Sequence, residues 1–159
     1  MLLKRKINIT LCFSFFSLFL FSCKKDFVFE KSSVIPNSLW NKDNIISFEA
    51  KIDDTVHFHN VYLFISTKNT YNFSNLYMFI AVETPGGRSL RDTSQFYLMD
   101  ATGKWYGKKH GDEYLNKVLY KRNVIFQKPG IYKFKIVQAM RQDNIDVSSV
   151  GLIIEKYKK

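Results

Sequence analysis

The chain has 159 residues, with 24 Lys and Arg against 14 Asp and Glu, a formal net charge of +10 and only 2 Cys. This length suits one domain with one core, and two cysteines exclude a disulfide framework or a cysteine-rich zinc site. The basic residues are scattered rather than striped, which argues against a nucleic-acid surface; solubility is the plain use of the charge, with an anionic membrane surface, acidic glycans or acidic partners as the other.

Lys4, Arg5 and Lys6 precede an apolar run over 7–22. As a helix this run reaches only about 24 Å, short of the ~30 Å hydrocarbon core. A positive start, a short apolar stretch and a small residue, Ser22, before the break are the parts of a secretory signal. Leu20-Phe21-Ser22-Cys23 has the form of a bacterial lipobox, in which the thiol is acylated before cleavage; Phe21 is bulkier than that pattern usually has. An uncleaved signal anchor is the competing reading. Two or more acyl chains, at ~0.8 kcal/mol per buried methylene, give stable anchoring. On the lipobox reading Cys12 leaves with the signal and Cys23 is spent on lipid, so the folded domain has no cysteine for a metal or a nucleophile. The expected division is 1–22 signal peptide, 23–39 lipidated tether and 40–159 one folded domain.

Beyond the polar tether, period-two alternation begins. Ile46, Phe48, Ala50 and Ile52 share one face of a strand, opposite Ser47, Glu49 and Lys51. Residues 56–67 read as a second strand whose apolar phase shifts near Asn60, the mark of a bulge. Residues 75–83 are apolar at successive positions and predict a central strand buried on both faces. Pro85-Gly86-Gly87 makes a turn into a strand ending near Asp100, and Asp100-Ala101-Thr102-Gly103 has the composition of a tight hairpin. Residues 103–120 lack clean alternation and predict a loop with a helical turn over 112–117. Residues 122–127 and 131–140 then read as two strands around Pro129-Gly130, with Tyr132, Phe134 and Ile136 opposite Lys133 and Lys135, and residues 150–157 as a last strand. About seven short strands predict an all-β, antiparallel β-sandwich. Its core has ample aromatic material in 15 Phe, 9 Tyr and 2 Trp.

Candidate chemistry is sparse. His57 and His59 are two apart, so on one strand both rings would face the same way. They are weak metal candidates because a stable site needs three or four ligands, and a solvent-facing strand is the plainer reading. Asp92, Asp100, Asp112 and Glu113 fall in one half of the chain, but carboxylates in turns ordinarily cap backbone N–H groups, and their spacing does not follow a calcium loop. There is no nucleophile elbow, phosphate loop or dinucleotide fingerprint. The expectation is therefore no enzyme activity, no cofactor and no small-molecule substrate. Trp105 and Tyr106, flanked by Lys104, Lys108 and Lys109, are candidates for contact with a protein partner or a glycan; equally, Trp105 folds back as a lid over the sandwich edge.

The ordered motifs resemble the gliding-motility lipoprotein GldH family. The matching positions run from the lipobox through Ser74-Asn75-Leu76, Asp92-Thr93 and Gly103-Lys104-Trp105 with Gly107, Gly111 and Asp112. They continue with Gly130, Tyr132, Phe134, Gln138, Met140, Arg141, Val150-Gly151 and Glu155-Lys156. Ser149 and Ile153 depart from an acidic residue and an arginine at the corresponding family positions. The resemblance implies an accessory envelope lipoprotein of the gliding machinery and its associated secretion, joined to the membrane through Cys23 and to other machinery proteins by surface contacts. Since Lys24-Lys25-Asp26 is no strong acidic run of the kind that directs lipoproteins to the cell surface in these bacteria, the expected location is the outer membrane, facing the periplasm. A surface glycan-binding lipoprotein using the Trp105 loop is the alternative.

Overall fold

Where one face of a strand meets the core, sequence alternation becomes sheet directly. Ile46–Ile52 is such a strand, each apolar residue buried and each polar one exposed. The computed structural model describes residues 27–157. Ten strands occur among them: β1 (Phe27–Val34), β2 (Leu39–Asn41), β3 (Ile46–Ile52), β4 (His59–Lys68), β5 (Asn75–Glu83), β6 (Ser89–Tyr97), β7 (Lys108–His110), β8 (Glu113–Val124), β9 (Gly130–Gln138) and β10 (Asn144–Lys156). One sheet runs β1-β10-β4-β8-β7, with β2 also pairing β10; the other runs β3-β9-β5-β6. All pairings are antiparallel. The expected antiparallel β-sandwich is the observed fold.

The inward faces of both sheets form one core. Phe48, Leu76, Met78 and Ile136 from one sheet meet Leu63, Ile65, Leu152 and Ile154 from the other, all essentially enclosed. Each such side chain contributes about 1.5–3 kcal/mol by leaving water. Trp40 closes the end near the β9–β10 loop, its indole N–H donating to the Asn44 carbonyl at 2.9 Å. In that loop the buried Gln138 amide donates to the carbonyls of Gln142 (3.0 Å) and Asp143 (3.3 Å) and accepts from the Met140 N–H at 2.8 Å. One side chain thus satisfies three backbone groups of a tight return. Gly130, with φ +134° and Pro85 Cβ within 2.9 Å of where its own Cβ would lie, holds a position that only glycine fills without strain.

Several expectations are corrected. Residues 27–34, expected within the tether, form β1, because the chain here satisfies the free edge of β10 through the register Phe27↔Glu155 to Val34↔Ser149. No helical turn forms over 112–117; Asp112 lies in a turn and residues 113–117 open β8, paired with β4 from Lys68↔Glu113 onward. Alternation was missing because only Asn116 of β8 is fully buried. Residues 122–124 are the end of that same strand, and β8 and β9 lie in different sheets rather than in one hairpin. β5 is buried on one face only, leaving Phe79 53% exposed on the other. The strand enclosed on both faces is β10, from Val150 through Ile154. The irregularity near Asn60 is present, but the extra residues stand on β8: His59↔Val124, Val61↔Lys121 and Tyr62↔Leu119 are successive partners.

Candidate functional site

The two histidines do not face the same way. β4 begins at His59, so His57 lies in the loop before it, outside the strand. His57 is exposed and its Nδ1 sits 2.8 Å from Asp54 Oδ2. The Lys156 ammonium, backed by the N–H groups of His57 and Val56, holds the Asp54 carboxyl well below the usual carboxylate range. His59 points inward, fully enclosed, edge-on to Phe126 with ring centroids 5.3 Å apart. Neither of its ring nitrogens makes a hydrogen bond of ordinary geometry, and burial pushes its basicity down. The expectation of a solvent-facing histidine pair is corrected for His59: its ring continues the inward phase of Val61, Leu63 and Ile65. No group of three or more His, Cys, Asp or Glu is placed to hold a metal among the described residues.

The acidic candidates are dispersed and engaged. Asp100 Oδ1 accepts from the Thr102 hydroxyl, the Thr102 N–H and the Lys104 N–H at 2.7, 2.8 and 3.0 Å. These bonds, that of the Thr102 hydroxyl foremost, lower its pKa. Asp112 and Glu113 both meet the Lys68 ammonium, at 3.0 and 3.2 Å. Lys68 lowers the pKa of Asp112, while the hydroxyl of buried Ser66 is the main cause for Glu113. Asp92 pairs with Lys121 at 2.6 Å, joining β6 of one sheet to β8 of the other.

Trp105 sits in the hairpin that Asp100 caps. Its backbone bridges to Met99, and its ring stacks on Tyr114 at 4.2 Å and 8° while packing against the core. The face it would offer a sugar is thus covered on one side. Gly107 explains the neighbouring glycine of the motif: a Cβ there would lie 2.7 Å from the Leu115 carbonyl oxygen and 2.5 Å from Asn116 Oδ1, so the hairpin lies directly on β8. Tyr106 is 67% exposed, with Lys104 and Lys108 exposed on either side. Cys23 lies outside the described residues.

Two features were not legible in the sequence. The first is an aromatic strip on the outer face of the β3-β9-β5-β6 sheet. Tyr77 and Phe79 of β5 share that face with Tyr97 of β6 and Val137 of β9, through the registers Tyr77↔Gln95, Asn75↔Tyr97 and Phe79↔Val137. The second is a cleft of about 720 Å³ between the sheets, beside β6 and the loop after β8. Its floor is apolar, built by Val61, Val82, Val124, Phe126, Tyr132 and Phe134. Around the mouth stand Leu90, Arg88, Arg91 and Lys128, and at one end the Asp92–Lys121 pair beside Tyr120, whose hydroxyl burial pushes up to about 12. Basic residues bracketing the Pro85-Gly86-Gly87 turn and the 125–128 loop were the available signal; their convergence required the inter-sheet pairing.

Among solved structures, the chain is similar to a carbohydrate-binding module specific for non-crystalline cellulose, CBM28. The TM-score is 0.41 and the identity 7%, over 80% of this chain and 70% of that one. It is also similar to a structure of the infectious bursal disease virus Gx strain, with TM-score 0.37 and identity 15%, over 81% of this chain and 30% of that one. In sequence it is 32% identical over 150 residues to a gliding motility lipoprotein GldH homolog of Christiangramia forsetii, spanning 89% of this chain and 91% of the relative. It is 32% identical over 126 residues to the gliding motility lipoprotein GldH of Flavobacterium johnsoniae, spanning 79% and 77%. The GldH lipoprotein family matches residues 27–154, a stretch that opens with β1 and runs into β10. With that match spanning both sheets, and two relatives at this identity over most of their lengths, the chain belongs to the GldH lipoprotein family.

Proposed function

We propose that this chain is a lipid-anchored cell-envelope protein of the gliding motility machinery and its associated secretion, working through protein–protein contacts rather than catalysis. Membership of the family supports the role, since both relatives carry gliding motility in their names. Cys23 is the attachment point, and the outer membrane, facing the periplasm, the location. The observation that favours contact as the mode of action is the aromatic strip of Tyr77, Phe79 and Tyr97, 38%, 53% and 62% exposed on a sheet face that no described element covers. Clustered exposed aromatics are the residues that anchor protein interfaces, and Tyr106 with Lys104 and Lys108 offers a second contact at the hairpin.

The test is a clean deletion complemented with wild type, with Cys23→Ala, or with the triple variant Tyr77→Ser, Phe79→Ser and Tyr97→Ser. Deletion should stop cell spreading, wild type should restore it, and neither variant should. Unimpaired gliding and secretion in the deletion strain would refute the role. Full complementation by the triple variant would refute the strip as the contact.

A further inference from the structure

The cleft between the sheets has a composition that neither packing nor the aromatic strip accounts for. Its floor is apolar, with Val82, Phe126 and Phe134 at its base, and its volume of about 720 Å³ falls within the 300–1,000 Å³ typical of sites for small organic ligands. The charge at its rim is one-sided. Asp92 is the single carboxylate in the lining and is already taken by Lys121 at 2.6 Å. Arg88, Arg91 and Lys128 also line the cleft, and none of the three has an ion-pair partner among the described residues. Lys128 lies over the β5–β6 turn, its ammonium 3.4 Å from where a Cβ on Gly86 would be.

An apolar trough with three uncommitted cations at its mouth complements a molecule with one greasy end and one anionic end. We infer that the cleft binds an anionic amphiphile: an acyl chain laid on the Phe126 and Phe134 floor, with its carboxylate or phosphate head held by Arg88, Arg91 and Lys128. The acyl groups of a lipidated Cys23 have no anionic head, so the charge at the rim distinguishes this ligand from the chain's own anchor. The cleft also lies toward the end of the sandwich where β1 begins. Phe27 pairs with Glu155, Glu155 with Asn60, and the β4 residues flanking Asn60 pair with Val124 and Lys121 of β8. Three strand spacings, about 14 Å, therefore separate the start of β1 from the wall of the cleft, within reach of lipid that lies near the N-terminal end of the folded chain.

The test is photolabelling of the purified full chain in phosphatidylcholine vesicles, with crosslinks mapped by mass spectrometry. The probes are diazirine-bearing palmitic acid, its uncharged methyl ester, and a phosphatidylglycerol with the same labelled chain. Crosslinks should fall within 82–92 and 120–134 for at least one of the two anionic probes, and which of them labels tells a free fatty acid from a membrane phospholipid. The ester should label about tenfold less, and the pair Arg88→Gln with Arg91→Gln should reduce anionic labelling by about the same factor. Leu90→Trp, at an exposed lining position, should block labelling without disturbing the circular dichroism spectrum. Equal labelling by the ester, crosslinks confined to residues before 31, or full labelling of both variants would overturn the inference.

Discussion

His59 occupies an unfavourable position that a single substitution relieves. Its ring is fully enclosed and meets Phe126 edge-on, and neither nitrogen has a hydrogen-bond partner of ordinary geometry. Leaving such groups dry costs about 1–3 kcal/mol. His59→Phe keeps the edge-to-face contact and removes both polar atoms; overpacking by the larger ring offsets part of the gain, leaving about 1 kcal/mol of stabilisation at pH 7.5. For a chain of this size that raises the melting temperature by about 2–4 °C. The dependence on pH is the sharper signature. Burial lowers the pKa of His59 below its ordinary 6.5, with the Lys156 charge adding to burial and the Asp54 charge and the nearby backbone groups of Val124 and His57 opposing it. Below pH 6.5 the unfolded chain therefore binds the proton that the folded chain refuses, so wild-type stability falls as pH drops from about 6.5 toward the folded value. The slope is at most about 1.4 kcal/mol per pH unit. His59→Phe lacks this term, so its advantage should widen between pH 7 and pH 5. Urea unfolding of both proteins at half-unit pH steps measures the gap. A gap that stays constant with pH, or a destabilised variant at every pH with His59→Leu behaving alike, would refute the account of a buried, neutral ring without a well-formed hydrogen bond.

Three further outcomes follow from packing and pairing. Gly107→Ala forces a Cβ against the Leu115 carbonyl and should cost about 1–3 kcal/mol, read as a lower urea midpoint with loss of the near-ultraviolet signal of the Trp105–Tyr114 stack. Gln138→Leu removes the amide that holds the Gln142 carbonyl and the Met140 N–H, while the Asp143 carbonyl keeps the Lys42 N–H at 2.8 Å; it should destabilise by about 1–3 kcal/mol and speed amide exchange in the β9–β10 loop. Lys121→Ala breaks the half-exposed pair with Asp92 and should change stability by under about 1 kcal/mol, while NMR titration shows the Asp92 pKa rising toward its ordinary value, since Lys121 is the main cause of its depression.

Legibility in the sequence tracked how one-sided each strand's surroundings are. β3 and β9 each have one wet and one dry face and show strict alternation, so their residues were assigned correctly from Ile46 to Ile52 and from Tyr132 to Ile136. The Asp100 turn was legible because its chemistry is local: the carboxylate bonds to residues two and four positions on. β8 was not, because it lies between β4 and short β7 with most of its side chains half wet, and only its partner makes it a strand. β1 failed for the same reason at the other edge, where Glu30, Lys31 and Ser32 look like linker but satisfy the main chain of β10. His59 was misplaced because the phase of β4 is set by Val61, Leu63 and Ile65 together, and a histidine in register with them goes inward whatever its polarity.

β5 and β10 make the remaining distinction, and it bears on function. β5 reads as apolar on two faces and β10 only as a last strand, and sequence pattern alone does not say which is covered. On β10 the outward Ile153 is flanked by Tyr62, and Lys117 lies over the Tyr62 ring at 4.2 Å while pairing with Glu155 at 2.6 Å. That face is closed by the fold itself. On β5 the outward Tyr77 and Phe79 have strand neighbours beside them but no layer above them among the described residues. The fold gains little from aromatic rather than polar side chains at such positions, since a strand with one solvated face is stable with alternating polar residues, as β3 shows. Aromatics with no cover among the described residues are the kind of surface that the proposed contact role calls for, and the triple variant at Tyr77, Phe79 and Tyr97 tests that reading.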